Sequence, residues 1–234
     1  HVIANTLLGV IFVGVGVAGA VIFHPLLLML VVPSIYFFWL AVQWRKGGLL
    51  EERIRIREEF IRIVGVRDGE RVLDVGTGAG LLAIGFAKAM REGEVVGIDI
   101  WMPMGGGTTL ETALRNARIE GVADRVKFKR GDARSIPYPN EYFDKVVSSF
   151  AIHIIRGKER EKAFKEMIRV LKPKGVLAIL EPPKGLGTGW RVDEKLRETL
   201  EKLGLEEVKF QPFTINYPKK RNVYLITGVK RTHS

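Results

Sequence analysis

Between residues 72 and 80 the chain reads Val-Leu-Asp-Val-Gly-Thr-Gly-Ala-Gly: an apolar run, one carboxylate at Asp74, then glycines at 76, 78 and 80. Glycine at alternate positions lets a backbone turn sharply, or approach a ligand that a Cβ would exclude. The apolar segment Leu81 to Met90 follows at once. It predicts a helix whose N-terminus offers unpaired N–H groups and the positive end of its dipole to that turn. The spacing is not the dinucleotide fingerprint, whose last glycine would fall at position 81, where the chain has Leu81. A second carboxylate, Asp99, ends the next apolar run, 25 residues after Asp74. An acidic side chain at such a strand end can accept both hydroxyls of a ribose. Turn and carboxylate together point to a bound nucleoside.

The run Asp74-x-Gly76-x-Gly78-x-Gly80, followed in register by Asp99, resembles motif I and the next strand of the class I S-adenosylmethionine-dependent methyltransferases. The resemblance covers about residues 60–230. It implies S-adenosylmethionine as cofactor, with S-adenosylhomocysteine as product. It also implies contacts from Asp74, Gly76, Thr77, Gly78 and Gly80, with the ribose on Asp99 and adenine against Ile100. Asp74 suits a ligand that brings a positively charged amino group as well as a carboxylate. In Gly131-Asp132-Ala133 the resemblance makes Asp132 the acceptor for the adenine amino group, with Ala133 beside it, and sets Ser149 at the methionine portion. Ile136 to Pro139, Tyr142 to Asp144 and Glu166 to Gly175 are similar to segments common to small-molecule and lipid methyltransferases.

S-adenosylmethionine carries its own leaving group. The protein therefore has to align an acceptor, exclude water and, where needed, remove a proton. No metal is implied, and the four histidines are too scattered to suggest a metal site. His153, just past the fourth strand where the acceptor enters, is either a general base or a histidine packed in a loop. Glu181, ahead of Pro182-Pro183, is a second candidate acid or base, or simply closes its strand. Ser148-Ser149-Phe150-Ala151 stands where methyltransferases of exocyclic amines and of glutamine carry Asn/Asp-Pro-Pro-Tyr/Phe, which argues against those acceptors. Trp101, opening the glycine-rich loop to Gly107, either stacks on adenine or fills the cleft wall.

The elements that must position these residues alternate. Strands are predicted near 71–75, 94–99, 125–129, 142–149, 175–181, 206–211 and 222–229, and helices near 79–91, 108–120, 157–171 and 191–203. Alternation means a parallel sheet covered on both faces. The segment from Thr214 to Arg221 bears a proline and fits no helix, so the last two strands should be antiparallel. The expected fold is α/β: a doubly wound, mostly parallel seven-stranded sheet with the last strand antiparallel, over residues 67–234.

The N-terminus differs in kind. Residues 2–43 contain no Asp, Glu, Lys or Arg. Val2 to Phe23 is a 22-residue apolar run, His24-Pro25 breaks it, and Leu26 to Val42 is a second run of 17 interrupted by Pro33. The expectation is a transmembrane helical hairpin over 1–44, in place of a signal peptide or a buried hairpin, then an amphipathic connecting helix over 45–66. Arg45, Lys46, Arg53, Arg55 and Arg57 would set the following domain in the cytoplasm. Gly14, Gly16, Ala18 and Ala20 are spaced for close helix packing, so a homo-oligomer through these helices is an expected partner beside the bilayer.

Net charge is +11, from 37 basic and 26 acidic residues, which favours an anionic partner. Arg134, Arg156, Lys158, Lys184, Arg191 and Lys219-Lys220-Arg221 fall in loops assigned to the cleft side. A nucleic-acid partner would account for the charge and leave the apolar N-terminus unexplained. Absence of cysteine excludes disulfides and thiolate chemistry. Abundant Lys, Arg and Glu with only two Gln match a thermophile's bias. The sequence thus predicts a membrane-anchored methyltransferase acting on a lipid or another membrane-associated small molecule, such as a phospholipid head group or an isoprenoid quinone. The alternatives are a protein lysine methyltransferase acting on a membrane protein and a non-catalytic cofactor-binding protein.

Overall fold

The structure, a computed structural model, describes residues 2–22, 33–38, 48–102, 108–182, 191–216 and 220–232. Seven strands form one sheet: β1 (Arg71–Val75), β2 (Glu94–Asp99), β3 (Val126–Arg130), β4 (Phe143–Ser149), β5 (Leu171–Glu181), β6 (Leu205–Ile215) and β7 (Arg221–Lys230). Their order is β3-β2-β1-β4-β5-β7-β6. The first five run parallel, and β7 lies antiparallel between β5 and β6. Both the seven strands and the reversed last strand agree with expectation. β1 and β2 are buried on both faces, which is why they read as continuous apolar runs and not as alternating ones.

The helices are α1 (Val2–Ile22), α2 (33–38), α3 (Gly48–Val64), α4 (Leu81–Ala89), α5 (Leu110–Ile119), α6 (Gly157–Val170) and α7 (Glu194–Lys202). Thr109 and Asp193 cap α5 and α7 by accepting from Thr112 and Leu196 N–H, which fixes where those helices begin. α4 is apolar nearly all round because it is covered on two sides. One side meets the sheet, and the other meets α3, whose Arg57 and Ile61 side chains come within 2.5 and 2.7 Å of the place a Gly85 Cβ would take.

Cα packing divides the chain into two compact units: His1–Ile54 with Asn216–Lys220, and Arg55–Ile215 with Arg221–Ser234. The larger unit holds two buried clusters. One contains Phe60, Phe86, Phe128 and Val147, and the other Phe143, Ile152, Met167 and Ile179. In the smaller unit, Phe12 stacks on Phe37 at 5.8 Å between ring centroids, and Gly9 admits Ser34 and Phe38. Gly14 has nothing within 4 Å of a Cβ position, so α1 and α2 meet at Gly9.

The expected integral-membrane placement is corrected here. Among the described residues no helix is long and apolar enough to cross a membrane. His24-Pro25, Trp39, Trp44, Arg45 and Lys46 lie outside the described residues.

Candidate cofactor and acceptor site

The glycine turn joins β1 to α4. Gly76, Gly78 and Gly80 all have positive φ (76°, 55° and 83°), a conformation that costs an L side chain strain. Two of them also leave no room for a Cβ: at Gly76 it would stand 2.2 Å from the Ala151 Cβ, and at Gly80 2.6 Å from the Phe128 ring. Gly76 and Thr77 donate their N–H groups to the Ile98 carbonyl. Asp99 Oδ2 accepts from Gly78 N–H at 2.8 Å, the Trp101 indole N–H donates to Gly78 O at 2.9 Å, and Asn116 Nδ2 donates to Ala79 O at 2.9 Å. The turn is therefore held in place by side chains from β2, the segment after it and α5.

Asp74 serves the turn from beneath. Its carboxyl is 1% exposed, and Oδ2 accepts from the Thr77 hydroxyl at 2.7 Å and from Ala83 N–H at 3.1 Å. Burial pushes its pKa up from 3.8 to about 7, the bonds from Thr77 and Ala83 oppose that rise, and the charge of Asp99 adds to it. Asp99 is half-buried at the end of β2, and its Oδ1 accepts from Trp101 N–H at 2.8 Å. Beside it Ile100 is exposed, while Trp101 is 6% exposed at φ 43° and fills the wall of the turn.

Asp132, half-buried past the end of β3, is gripped on both oxygens by the Arg134 guanidinium, which holds its carboxyl below the usual carboxylate range. Ala133 is half-buried beside it. Ser149 sits half-buried at the end of β4, whereas the neighbouring Ser148 is fully buried and donates to Val75 O at 2.7 Å. Of the basic loop residues, Arg134 is paired with Asp132 and Glu159, and Lys184 and Lys219 lie outside the described residues.

On the acceptor side, His153 lies in a single 3-10 turn, Ile152–Ile154, directly after β4. The contact of Ala151 with Gly76 sets this segment against the glycine turn. Glu181 is fully buried at the end of β5. Its Oε1 accepts from the N–H groups of Ala151 (3.1 Å), Ile152 (2.7 Å) and His153 (3.3 Å), and its Oε2 lies 2.6 Å from His153 Nδ1. The two residues singled out separately are thus one hydrogen-bonded pair. No local signal announces Asn116, and Trp101, expected to stack on adenine or to fill the cleft wall, also donates its indole N–H to the turn.

S-adenosylmethionine suits this donor set. The turn is cut away where Cβ atoms would stand, and Asp99 and Asp132 place half-buried carboxylates past neighbouring strand ends, where hydroxyl and amino hydrogens can be accepted.

Comparison with known proteins agrees. A family described as "Methyltransferase domain" matches residues 72–175. Two relatives, each described as ubiquinone/menaquinone biosynthesis C-methyltransferase UbiE, come from Yersinia enterocolitica and Pseudomonas fluorescens. The first is 39% identical over 134 residues (56% of this chain, 51% of the relative), and the second 38% over 122 residues (52% and 45%). The chain thus spans about half the length of these curated relatives. Among solved structures, a SAM-dependent methyltransferase from Aquifex aeolicus superposes with a TM-score of 0.57 at 23% identity, covering 74% of this chain and 89% of that one. Phosphoethanolamine N-methyltransferase 2 of Haemonchus contortus, solved with S-adenosyl-L-methionine, gives 0.60 at 20% identity, covering 76% and 52%. Those structural likenesses show the fold, and the solved neighbours include S-adenosylmethionine-dependent enzymes. Residues 72–175 thus match a methyltransferase domain, and over about half of its length the chain is similar to methyltransferases of known name.

Proposed function

We propose that the chain transfers the methyl group of S-adenosylmethionine to a ring carbon of a hydroxylated, largely apolar aromatic molecule of the kind from which quinones are made. The reading is carried by the 39 and 38% identity to two quinone-pathway C-methyltransferases. The physical setting supports it. Ile100, Met102 and Ile154, close to the ends of β2 and β4, are 40, 53 and 63% exposed, and Phe150, directly after β4, is half-buried. Exposed apolar side chains near the strand ends suit an apolar ring or tail more than a charged head group. The segment after β4 also lacks the Pro-Pro pair that amine methyltransferases carry there.

When bound, S-adenosylmethionine supplies a methyl group on a sulfonium, which leaves as S-adenosylhomocysteine once carbon attacks it. The chain's own part is positioning. Asp99 would accept the ribose hydroxyls, Asp132 the adenine amino group, and the glycine turn would hold the methionine portion. The apolar side chains keep water from the reacting carbon.

The test is incubation with methyl-labelled S-adenosylmethionine and a short-chain prenyl naphthohydroquinone held reduced. We expect label in a C-methylated product identified by mass spectrometry and carbon NMR. Label confined to protein, or only in an O-methyl ether, would reject the assignment.

A further inference from the structure

We propose that Glu181 is a positioning residue that holds His153 with its proton on Nδ1, so that Nε2 accepts the hydroxyl proton of the acceptor. This rests on the reading above, that the acceptor is a hydroxylated ring. Glu181 comes from β5 and His153 from the turn after β4, 28 positions apart, yet Oε2 and Nδ1 are 2.6 Å apart. Oε1 already accepts from three successive backbone N–H groups, which can only donate. An ionised carboxylate is an acceptor on both oxygens, so the fourth partner, Nδ1, is the donor. The His153 side chain is 22% exposed, whereas Glu181 is fully buried. The pair therefore has one member sealed in the protein and one that meets solvent, beside the segment packed on the glycine turn. A purely structural cap would need only the backbone bonds, and these leave Oε2 for the imidazole.

The step balances as follows. The acceptor O–H bond breaks, its proton goes to Nε2, and the electron pair stays on oxygen, where it raises the nucleophilicity of the ring carbon. The ring carbon would gain the methyl as the C–S bond to the leaving group breaks, its C–H proton would pass to water as the ring regains aromaticity, and the imidazolium would return its proton to the oxygen.

The experiment has two readouts on the full chain. Long-range proton–nitrogen NMR, with His153→Asn used for assignment, should show His153 protonated on Nδ1 and not on Nε2. Glu181→Gln, which still offers an oxygen to the backbone N–H groups but has an amide N–H to donate, should shift the proton to Nε2. In methyl transfer to the prenyl naphthohydroquinone, His153→Asn should lower kcat roughly 100-fold or more while S-adenosylhomocysteine affinity stays within about twofold. A wild-type Nε2–H tautomer, or a His153→Asn variant with wild-type kcat, overturns the proposal. Wild-type protein inactive on every hydroxylated ring overturns the acceptor assignment instead, and the nitrogen spectra still decide whether Glu181 orients His153.

Discussion

Asp74 shows how one buried carboxyl sets the chemistry of a turn. It lies beneath the glycines and accepts from Thr77 and Ala83, and burial raises its pKa to about 7 against 3.8 in the unfolded chain. The folded state therefore binds this proton more tightly. The stability it contributes is fully present below about pH 3.8 and is lost as pH rises through about 7. Between those limits the slope is at most about 1.4 kcal/mol per pH unit. Asp74→Asn keeps an acceptor oxygen for Thr77 and Ala83 but cannot ionise. Urea unfolding at pH 5, 6 and 7 should show wild type losing stability with pH relative to Asp74→Asn. Parallel curves for the two proteins would mean that the carboxyl is already charged in the fold. Functionally, a turn whose buried carboxyl sits close to neutrality responds to a cationic ligand group, which favours the ionised form.

At the scale of elements, the segment Glu166 to Gly175 is a clamp. Arg169, in the last turn of α6, donates to Ile136 O, Tyr138 O and Asn140 Oδ1 and pairs with Glu166, which itself accepts from Ile136 N–H. That network fixes the loop between β3 and β4, which also carries Asp132. Arg169→Ala should cost about 2–3 kcal/mol in urea unfolding. Lys88→Ala, which breaks a surface pair with Glu120, should cost under about 1 kcal/mol. Equal losses would show that the clamp is no more than surface charge. The clamp residues were legible as a motif because they are close in sequence, but their partners were not. Strand limits were legible where the period was clean: β2 falls on the predicted 94–99. They were not where proline intervened. β6 runs on through Pro212 to Ile215 because it is the sheet edge, where a missing N–H costs little, and β5 starts at Leu171, ahead of Pro173. The glycine turn could be read because it is local. The pairing of His153 with Glu181 could not, because it arises only once β4 and β5 lie side by side.

For the whole molecule, the question is which part of the chain the site needs. Every residue placed at the cofactor turn and acceptor side belongs to the larger unit, Arg55–Ile215 with Arg221–Ser234. So does the half of α3 whose Phe60 packs edge-on against Phe86, with ring centroids 6.3 Å apart, in the buried cluster beneath α4. α3 is therefore needed as far back as it reaches that cluster, and its first turns add Glu52, which accepts from Asn216 N–H at 2.6 Å within the smaller unit. A chain starting at Gly48 keeps all of these contacts, while the apolar run from Val2 contributes none of the site residues. We expect that shortened chain to bind S-adenosylhomocysteine within about threefold of the full chain by calorimetry. Phe60→Ala in the full chain should lose about 3–5 kcal/mol of stability through the cavity it leaves under α4. The two results together locate the requirement: if the shortened chain folds cooperatively yet fails to bind, the first 47 residues take part in building the site, and the assignment of the cofactor cleft to the larger unit is wrong.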